Sequence, residues 1–570
     1  MPAEAKGSFD LDSVSPEELD RIVTDMGGQR QFSRHYGVAR STLQLRLHKV
    51  HRDPFSYIPP VDPQKIVVEP GTVRRFILTS AQTETAIHED FLTNLEVYRD
   101  HLAKDGPCEI MISGYTYNKK LYRGHAKDGD DRGKNEKEPS HHFRVIPYIS
   151  NKRIRLGDKI DYCGEMNTQP TAVNPLSGFE TYTKHRWGIF PHAKVQLQSV
   201  PTMKHAPTKL NMTTGSITLP NYVKKKAGIK AAFHHEVAAL LVEMNDQGEF
   251  FCRHLFAEPD GSFMDLDVRV ETRLDKSTRG NTPVITSRHR VASVNWGDLH
   301  VAQIDPVVAK ACFGYYPLDD KGRGQGRRWD TITSGDPMPI LDALRPSYQF
   351  FHDVCDFQAR NHHNLRDPHH MFSLYVDGAD SVETELHEVG DFIQKTRRDF
   401  CQTVVVESNH DLALKRWLKE ADYRHDPRNA EFFLACQRRT YQSIREREKG
   451  FSVFEYVLTD HFDDVSCEGV RFLREDESFM VMDIEKGMHG HLGANGARGA
   501  PKQFTRAGAK STTGHTHACQ IIDGAYVAGT TSKLDMGYNK GLSGWSHSHV
   551  VTLRNGHRQI ITMQGAKWRL

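Results

Sequence analysis

The sequence lacks the features that mark secreted and membrane proteins. Only nine cysteines occur in 570 residues, with no Cys-x-x-Cys pair, and this pattern favours free thiols in a reducing compartment over a disulfide framework. No apolar run approaches the roughly 18 residues of a membrane-spanning helix. The opening residues MPAEAKGSFDLDS contain no apolar segment of a signal peptide. We therefore expect a cytoplasmic protein without a membrane partner.

A large excess of charge of one sign is also absent. The formal net charge is +2 and charged residues make up 26% of the chain, so any affinity for nucleic acid must come from local patches. The chain is too long for one hydrophobic core, and we expect about three or four domains. The 32 histidines are the unusual feature of the composition, and they make a metal or acid–base site worth seeking.

Residues 1–52 are predicted to form a small all-α domain. The pattern indicates a helix over 15–28, another from residue 29, a turn at Gly37, and a further helix. The stretch RQFSRHYGVARSTLQLRL resembles the helix-turn-helix of transcription factors, transposases and phage proteins. Residues 29–52 carry six Lys/Arg and no acid, which suits phosphate contacts, although a basic hairpin used only for packing is the alternative. The resemblance implies DNA contacts by Arg40, Ser41, Thr42, Gln44 and Arg46.

A Pro-rich linker over 53–69 and an α/β middle domain over 70–285 are expected next. The linker follows from the prolines, which disfavour both helix and central strand. In the middle domain, a strand at 74–80, a helix at 87–102 and a strand at 108–113 form a βαβ unit. The charged stretch 118–140 is predicted to be a loop. The role of this domain is not legible from its residues.

Five short polar motifs follow within residues 286–570, each beside an apolar strand pattern. They contain carboxylates, imidazoles and one amide, which are the ligand types of a site for two divalent cations. In chain order they are Asp298-x-His300, Asp353-x-x-Asp356, Asn409-His410-Asp411, His489-Gly490-His491 and Gly514-His515-Thr516-His517.

This order of motifs resembles the calcineurin-like metallophosphoesterase superfamily over about 280 residues. The resemblance implies that 286–570 is a catalytic domain with a four-layer α/β sandwich. Two departures occur, because His352 and Ser408 stand where glycines usually precede the second and third motifs. The backbone turns at these positions are therefore expected to differ from the usual ones.

The resemblance also implies two bound divalent cations and a role for each motif residue. Mn²⁺ is the expected metal, with Mg²⁺, Fe or Zn as alternatives. His410 is expected to protonate the leaving oxygen with Asp411 orienting it, and Asp356 either faces the substrate or supports a ligand. In the fourth motif we favour His489 as the ligand, and His491 is the alternative. The expected ligands of one cation are Asp298, His300, Asp353 and His517, and those of the other are Asp353, Asn409, His489 and His515.

The substrate has to be inferred from local charge, because this fold class serves many phosphoesters. No acid occurs from 486 to 522, and basic residues recur every four positions at Arg498, Lys502, Arg506 and Lys510. Together with the N-terminal segment, this strip resembles phage-encoded DNA-processing or DNA-degrading metallophosphoesterases and the double-strand-break repair nuclease branch. We therefore expect a nuclease that cleaves DNA with a metal-bridging hydroxide, in the host cytoplasm if the protein is phage-encoded.

Two alternatives stay open at this point. One is a DNA-binding regulator or phosphatase that hydrolyses a small nucleotide or phosphoester, and the other is a binding protein with a decayed centre. The complete set of ligand types argues against decay. Assembly into a homo-oligomer is also left open.

Overall fold

The computed structural model of the protein describes residues 9–11, 13–51, 63–117, 141–275, 280–318, 326–361 and 364–570. The predicted loop at 118–140 and most of the predicted linker lie outside the described residues. The chain divides into two compact units, residues 1–64 and 65–570.

The described part of the first unit contains three helices around a small core. They are α1 (Pro16–Asp25), α2 (Gln29–Tyr36) and α3 (Arg40–His51). The Ser15 side chain accepts a hydrogen bond from the Glu18 backbone N–H and caps α1. Gly37 ends α2 with a φ of 68°, a left-handed conformation that glycine adopts without strain. The buried core consists of Leu19, Val23, Phe32, Leu43 and Leu47.

The larger unit is mixed α/β, in agreement with the predicted class. Its largest sheet has eleven strands. In sheet order they are β1 (Gln64–Ile66), β4 (Arg153–Leu156), β5 (Ile160–Cys163), β6 (Trp187–Phe190), β9 (Lys209–Thr213), β7 (Leu197–Val200), β24 (Gln520–Ile522), β25 (Ala525–Val527), β23 (Lys510–Thr513), β22 (Ile484–Glu485) and β21 (Met480–Val481).

A sheet of six strands carries the first three polar motifs. In sheet order it contains β20 (Arg471–Leu473), β19 (Gln402–Val406), β18 (Tyr348–His352), β15 (Ser293–Asn295), β27 (Ser548–Thr552) and β28 (Arg558–Thr562). Strands β15, β18, β19 and β20 run parallel, so their carboxyl ends meet at one edge of the sheet.

The remaining strands form four smaller sheets. One contains, in sheet order, β11 (Phe250–Phe256), β10 (Ala238–Asn245), β2 (Val73–Gln82) and β3 (Cys108–Tyr115). Another contains β12 (Phe263–Asp265), β13 (Val268–Asp275) and β14 (Gly280–Thr286). The last two are pairs, β16 (Tyr315–Pro317) with β17 (Trp329–Thr331) and β26 (Leu542–Ser543) with β8 (Thr202–Met203).

Helices cover these sheets. They are α4 (Glu89–Leu102), α5 (Lys226–Phe233), α6 (Pro306–Phe313), α7 (Ile340–Leu344), α8 (Pro368–Val376), α9 (Val382–Thr396), α10 (Ala413–Glu420), α11 (Ala430–Glu446), α12 (Val453–Tyr456) and α13 (Pro501–Phe504). The predicted βαβ unit is present as β2, α4 and β3, and its two strands pair in parallel. None of the described helices is long and apolar enough to cross a bilayer.

The six-stranded sheet buries its two faces against different cores. Phe351 and Val405 pack in one cluster with Phe392 of α9, whereas Phe350 and Val404 lie in another. This alternation follows from the two-residue period of a strand. Both faces are apolar, as expected for parallel strands that are covered on each side.

The boundary predicted at residue 285 does not separate the sheets. Strand β7 pairs with β24, with Leu197 opposite Ile521, so the eleven-stranded sheet takes strands from both sides of that boundary. This pairing joins segments far apart in sequence, and local patterns cannot predict it. The region 65–285 therefore helps to build the sheet that carries the last two polar motifs.

Candidate metal centre

The polar motifs occupy tight turns directly after strands. Asp353 follows β18 at once, and Asp298 and Asn409 lie three residues beyond β15 and β19. Because these strands are parallel, the three side chains meet at one sheet edge. His300 and Asp353 have φ values of 43° and 42°. Such left-handed conformations cost about 1–3 kcal/mol in residues other than glycine and cluster at functional sites.

A first group of potential ligands contains Asp298, His300, Asp353 and His517, all buried. Nε2 of His517 lies 3.1 Å from Oδ2 of Asp298 and 3.0 Å from Nε2 of His300. Nε2 of His300 lies 3.7 Å from Oδ2 of Asp353. Four ligand atoms from three separate motifs thus face one small volume.

A second group contains Asp353, His489 and His515. Nε2 of His489 lies 3.2 Å from Oδ2 of Asp353 and 3.1 Å from Oδ1 of Asn409. Asp353 therefore belongs to both groups. We predicted the same shared position for Asp353, and we predicted Asn409 and His489 as ligands of one cation.

The chemistry of these groups fits cations. Oδ1 of Asp298 is buried without a hydrogen-bond partner among the described residues, and an uncompensated buried carboxylate oxygen is costly. The two Nε2 atoms of His300 and His517 face each other at 3.0 Å, although at most one of them can donate to the other. A bound cation would satisfy these atoms, and imidazole with carboxylate suits Mn, Fe and Zn.

Gly514 is required for this approach of the last motif to the first. A Cβ atom at this position would lie 2.1 Å from Oδ1 of Asp298, which is closer than two such atoms can come. The backbone N–H of His515 also donates to Oδ2 of Asp298 at 2.7 Å. The Gly-His-x-His motif therefore needs glycine at this position, because a side chain would clash with Asp298.

His410 lies beside the two groups, and together with His300 and Asp356 it forms a third group of potential ligands. Its Nδ1 donates to the backbone carbonyl of Asp356 at 3.0 Å and lies 3.5 Å from the Asp356 carboxylate. Burial disfavours the charged ring, but the carboxylates of Asp353 and Asp356 outweigh it and raise the pKa of His410 to about 9. Its side chain keeps 19% of its exposure, so it can reach a bound molecule.

Asp356 also supports His300, because its Oδ1 lies 3.0 Å from Nδ1 of that ring. A carboxylate behind a metal-binding histidine fixes the ring's orientation and tautomer. The sequence left two roles open for Asp356, which were facing the substrate and supporting a ligand. These contacts correspond to the second role.

Asp411, which was expected to orient His410, contacts other groups. Its carboxylate accepts hydrogen bonds from Oγ of Ser408 at 2.5 Å and from the backbone N–H of Cys355 at 3.0 Å. It thus ties the turn of the third motif to that of the second. Burial, then the charge of Asp353, raise the pKa of Asp411 to about 7. Asp356 and the ring of His300 contact the His410 ring, whereas Asp411 bonds to Ser408 and Cys355.

His491 and Ser408 are placed by other contacts. Nε2 of His491 lies 3.0 Å from Oε1 of Glu475, so this ring is engaged next to the second group rather than within it. Ser408 uses its hydroxyl to bind Asp411, a contact that a glycine could not make. His362 and His363, near the second motif, lie outside the described residues.

Comparison with known proteins gives one informative relative. Protein A1 of Escherichia phage T5 is 37% identical to this chain over 503 residues, which cover 87% of this chain and 83% of that protein. The chain belongs to the protein A1 family. No known family profile matches the chain, and no solved structure matches it. The assignment of this A1-family protein to the metallophosphoesterases therefore stays a prediction, whereas its relation to a phage protein is established.

The residues predicted to bind DNA differ in their exposure. Arg40, Ser41 and Thr42 are exposed at the start of α3, and the side chain of Gln44 lies outside the described residues. Arg46 is partly buried and donates from Nε to the Leu11 carbonyl at 3.2 Å. Arg46 is thus engaged in holding the N-terminal segment.

The four basic residues of the predicted strip are all exposed. They do not share one helix, because α13 covers only Pro501–Phe504 and Lys510 begins strand β23. His515 follows the carboxyl end of that strand, so Lys510 lies at its opposite end. Lys510 lines a small polar cavity with Glu236, Asp523 and Arg558. The four-residue spacing therefore does not correspond to one face of a helix.

Several residues that support the centre were not predicted from the sequence. Oγ1 of Thr530 and the backbone N–H of Thr531 both donate to the Asp298 carbonyl at 2.8 Å, and Nδ1 of His549 accepts from the Gly297 N–H. These residues fix the turn that presents Asp298. Their side chains come from the loop after β25 and from β27, which only the tertiary fold brings to the first motif.

Proposed function

We propose that this protein is a metal-dependent phosphodiesterase that cleaves DNA, a deoxyribonuclease with two divalent cations. The observation that carries the proposal is the shared position of Asp353 in two groups of ligand side chains. In this proposal one cation is held by Asp298, His300, Asp353 and His517, and the other by Asp353, Asn409, His489 and His515. Mn²⁺ is the expected metal.

If bound by these residues, two cations would neutralise the charge of a phosphate and would supply the activated water that acts as the nucleophile. The chain's own contribution is His410, whose ring lies beside the two groups and whose side chain stays partly exposed. Its Nδ1 is occupied by Asp356, so Nε2 is the atom that can give a proton to the leaving oxygen. Asp356 acts as a positioning residue, because it holds both His410 and the ligand His300.

DNA is proposed as the substrate on the basis of local charge. The N-terminal unit carries six Lys/Arg and no acid over residues 29–52, and Arg498, Lys502 and Arg506 are exposed in the segment that links the ligands His489 and His515. Basic groups of this kind bind phosphates without selecting a sequence. The relation to a phage protein supports action in the cytoplasm of an infected cell.

A second candidate is a DNA-binding regulator that hydrolyses a small nucleotide or phosphoester. It is supported by the division of the chain, since residues 1–64 form a unit of their own. In that case DNA binding and hydrolysis would involve separate ligands.

The test is hydrolysis by protein that has been stripped with a chelator and reloaded with Mn²⁺. Plasmid DNA, single-stranded DNA and a panel of nucleotides are offered in parallel. Asp353→Asn should abolish hydrolysis, whereas the exposed control Asp330→Asn should keep it. Hydrolysis of nucleotides alone would favour the second candidate. If the reloaded wild type hydrolyses none of these substrates, both candidates are wrong.

A further inference from the structure

Two aromatic residues extend from the metal centre towards solvent. The rings of Trp545 and His517 meet edge to face, with centroids 4.2 Å apart at 65°. The ring of Tyr538 lies 5.9 Å from that of Trp545 at 67°. Tyr538 is 50% exposed and Trp545 is partly buried, so the two rings lead from the buried ligand His517 to the surface.

The segment that carries the two rings is tied down at several points. The backbone N–H of Ser546 donates to the His517 carbonyl at 2.9 Å, and Oγ1 of Thr208 donates to the Trp545 carbonyl at 2.8 Å. Nearer Tyr538, Nδ2 of Asn539 donates to the Leu534 carbonyl at 3.0 Å. The backbone that carries the rings is therefore fixed before any ligand arrives, which lowers the entropy cost of binding.

Tyr538 also lies within electrostatic reach of the carboxylates of the centre. Burial of its hydroxyl, followed by the negative charges of Asp356, Asp353 and Asp298, raises the pKa of Tyr538. The hydroxyl lies 3.5 Å from the sulfur of Met536, a weak partner that does not explain the position of the ring. The contacts of Trp545 with His517 and with Tyr538 therefore place Tyr538 one ring away from the ligand His517.

We propose that Tyr538 and Trp545 form a nucleobase-binding subsite beside the metal centre, where the base next to the scissile phosphate stacks. The inference rests on the proposed phosphodiesterase function and specifies its substrate. Base–aromatic stacking is tolerant of sequence because every base has a π face. A base can stack on a side chain only when its face is free, so the substrate is single-stranded or frayed at this position.

Binding measured without turnover tests the subsite directly. Thymidine 5′-monophosphate and 2-deoxyribose 5-phosphate are titrated by calorimetry into the Mn²⁺-loaded protein, because they share the phosphate and differ in the base. The wild type should bind the nucleotide more tightly by about 5- to 150-fold, the range of one stacked base. Tyr538→Ala should remove this preference, Tyr538→Phe should keep it, and Tyr441→Ala, a control at a residue that is 66% exposed, should not change it.

Equal binding of the two ligands by the wild type would overturn the subsite. So would a loss of affinity for both ligands in Tyr538→Ala, because that result means the ring only supports the fold around His517. In either case the result is independent of whether the protein cleaves DNA.

Cleavage supplies the second readout. The substrates are dithymidine monophosphate and its two analogues that lack one base, so each contains a single diester. The wild type should cleave one of the analogues more slowly by a similar factor, and Tyr538→Ala should cleave that analogue and the full dinucleotide at equal rates. Base-dependent binding without any cleavage would reject the proposed function and leave the subsite standing.

Discussion

Nε2 of His300 lies 3.0 Å from Nε2 of His517, and both rings are buried next to Asp298 and Asp353. Two neutral imidazoles with these atoms facing each other must share one proton or direct both lone pairs at a cation. Because carboxylates face the same small volume, a cation stabilises this arrangement more than a shared proton does. This relationship leads to the first prediction.

Adding Mn²⁺ to chelator-treated protein should raise the thermal unfolding midpoint and bind two ions per chain. A ligand at one hundred times its dissociation constant adds about 2.7 kcal/mol per site to the free energy of unfolding. Asp353→Asn should lose most of this increase, because Asp353 belongs to both groups. Calorimetry and metal analysis measure the two quantities. Two ions retained by Asp353→Asn would reject its shared role.

His410→Asn should lower kcat by roughly 10² to 10⁴, the usual range for a positioned proton donor. The metal content should stay at the wild-type value, because His410 is not one of the proposed ligands and its Nδ1 is occupied by the Asp356 carbonyl. The control is His425→Asn, at a side chain that is 85% exposed. Loss of metal from His410→Asn would make His410 a ligand and the assigned role wrong.

The stability of the metal-free protein should fall as the pH rises through about 9. The pKa of His410 is raised from 6.5 to about 9 in the fold, so its contribution is fully present below about pH 6.5 and is lost as the folded ring deprotonates. The contribution is about 1 to 3 kcal/mol of unfolding free energy. Urea unfolding at pH 6 and pH 10 measures it, with His410→Asn as the reference that should show a smaller difference. Mn²⁺ should flatten the dependence, since cations then neutralise Asp353.

Much of the centre could be predicted because its residues sit in short motifs after apolar strands. The positions of Asp298, Asp353 and Asn409 follow from the parallel strands that precede them. The partner of His410 could not be predicted, because the choice between Asp356 and Asp411 depends on the turn geometry around Phe357, whose φ is 54°.

Two further features depend on contacts between distant segments. The pairing of Leu197 with Ile521 leaves no local pattern in the sequence, so the predicted boundary at residue 285 missed it. Trp545 reaches His517 from a segment without helical or strand periodicity, and no motif marks it.

Deleting residues 1–60 should weaken DNA binding and leave hydrolysis of a small chromogenic phosphodiester unchanged. The two compact units divide after residue 64, and all proposed ligands lie in the second unit. A gel-shift titration measures DNA binding, and a chromogenic assay measures the centre. Arg40→Gln with Thr42→Ala in the full chain is the matched point variant, and it should reproduce the loss of binding. Loss of small-diester hydrolysis in the deletion would show that the first unit is needed for the centre.

The exposed residues Arg498, Lys502 and Arg506 are predicted to contact the DNA backbone, whereas Lys510 is not. Each Lys/Arg contact to duplex phosphate contributes about −0.9 to the log–log slope of affinity against salt. Changing the three residues to Gln should therefore flatten the slope by up to about 3 units. Lys510→Gln is the matched control, because this side chain lines the cavity with Glu236 and lies at the end of β23 away from His515.

Binding at several salt concentrations separates three outcomes for this strip. A flatter slope with an unchanged rate on a small diester supports backbone contacts near the centre. An unchanged slope in the triple variant would mean that the three side chains only decorate a surface segment, and the charge argument for DNA would then rest on residues 29–52 alone. If metal content and all hydrolysis fall together, the segment instead holds His489 and His515 in place. A slope that flattens in Lys510→Gln would contradict the placement of this residue away from the substrate.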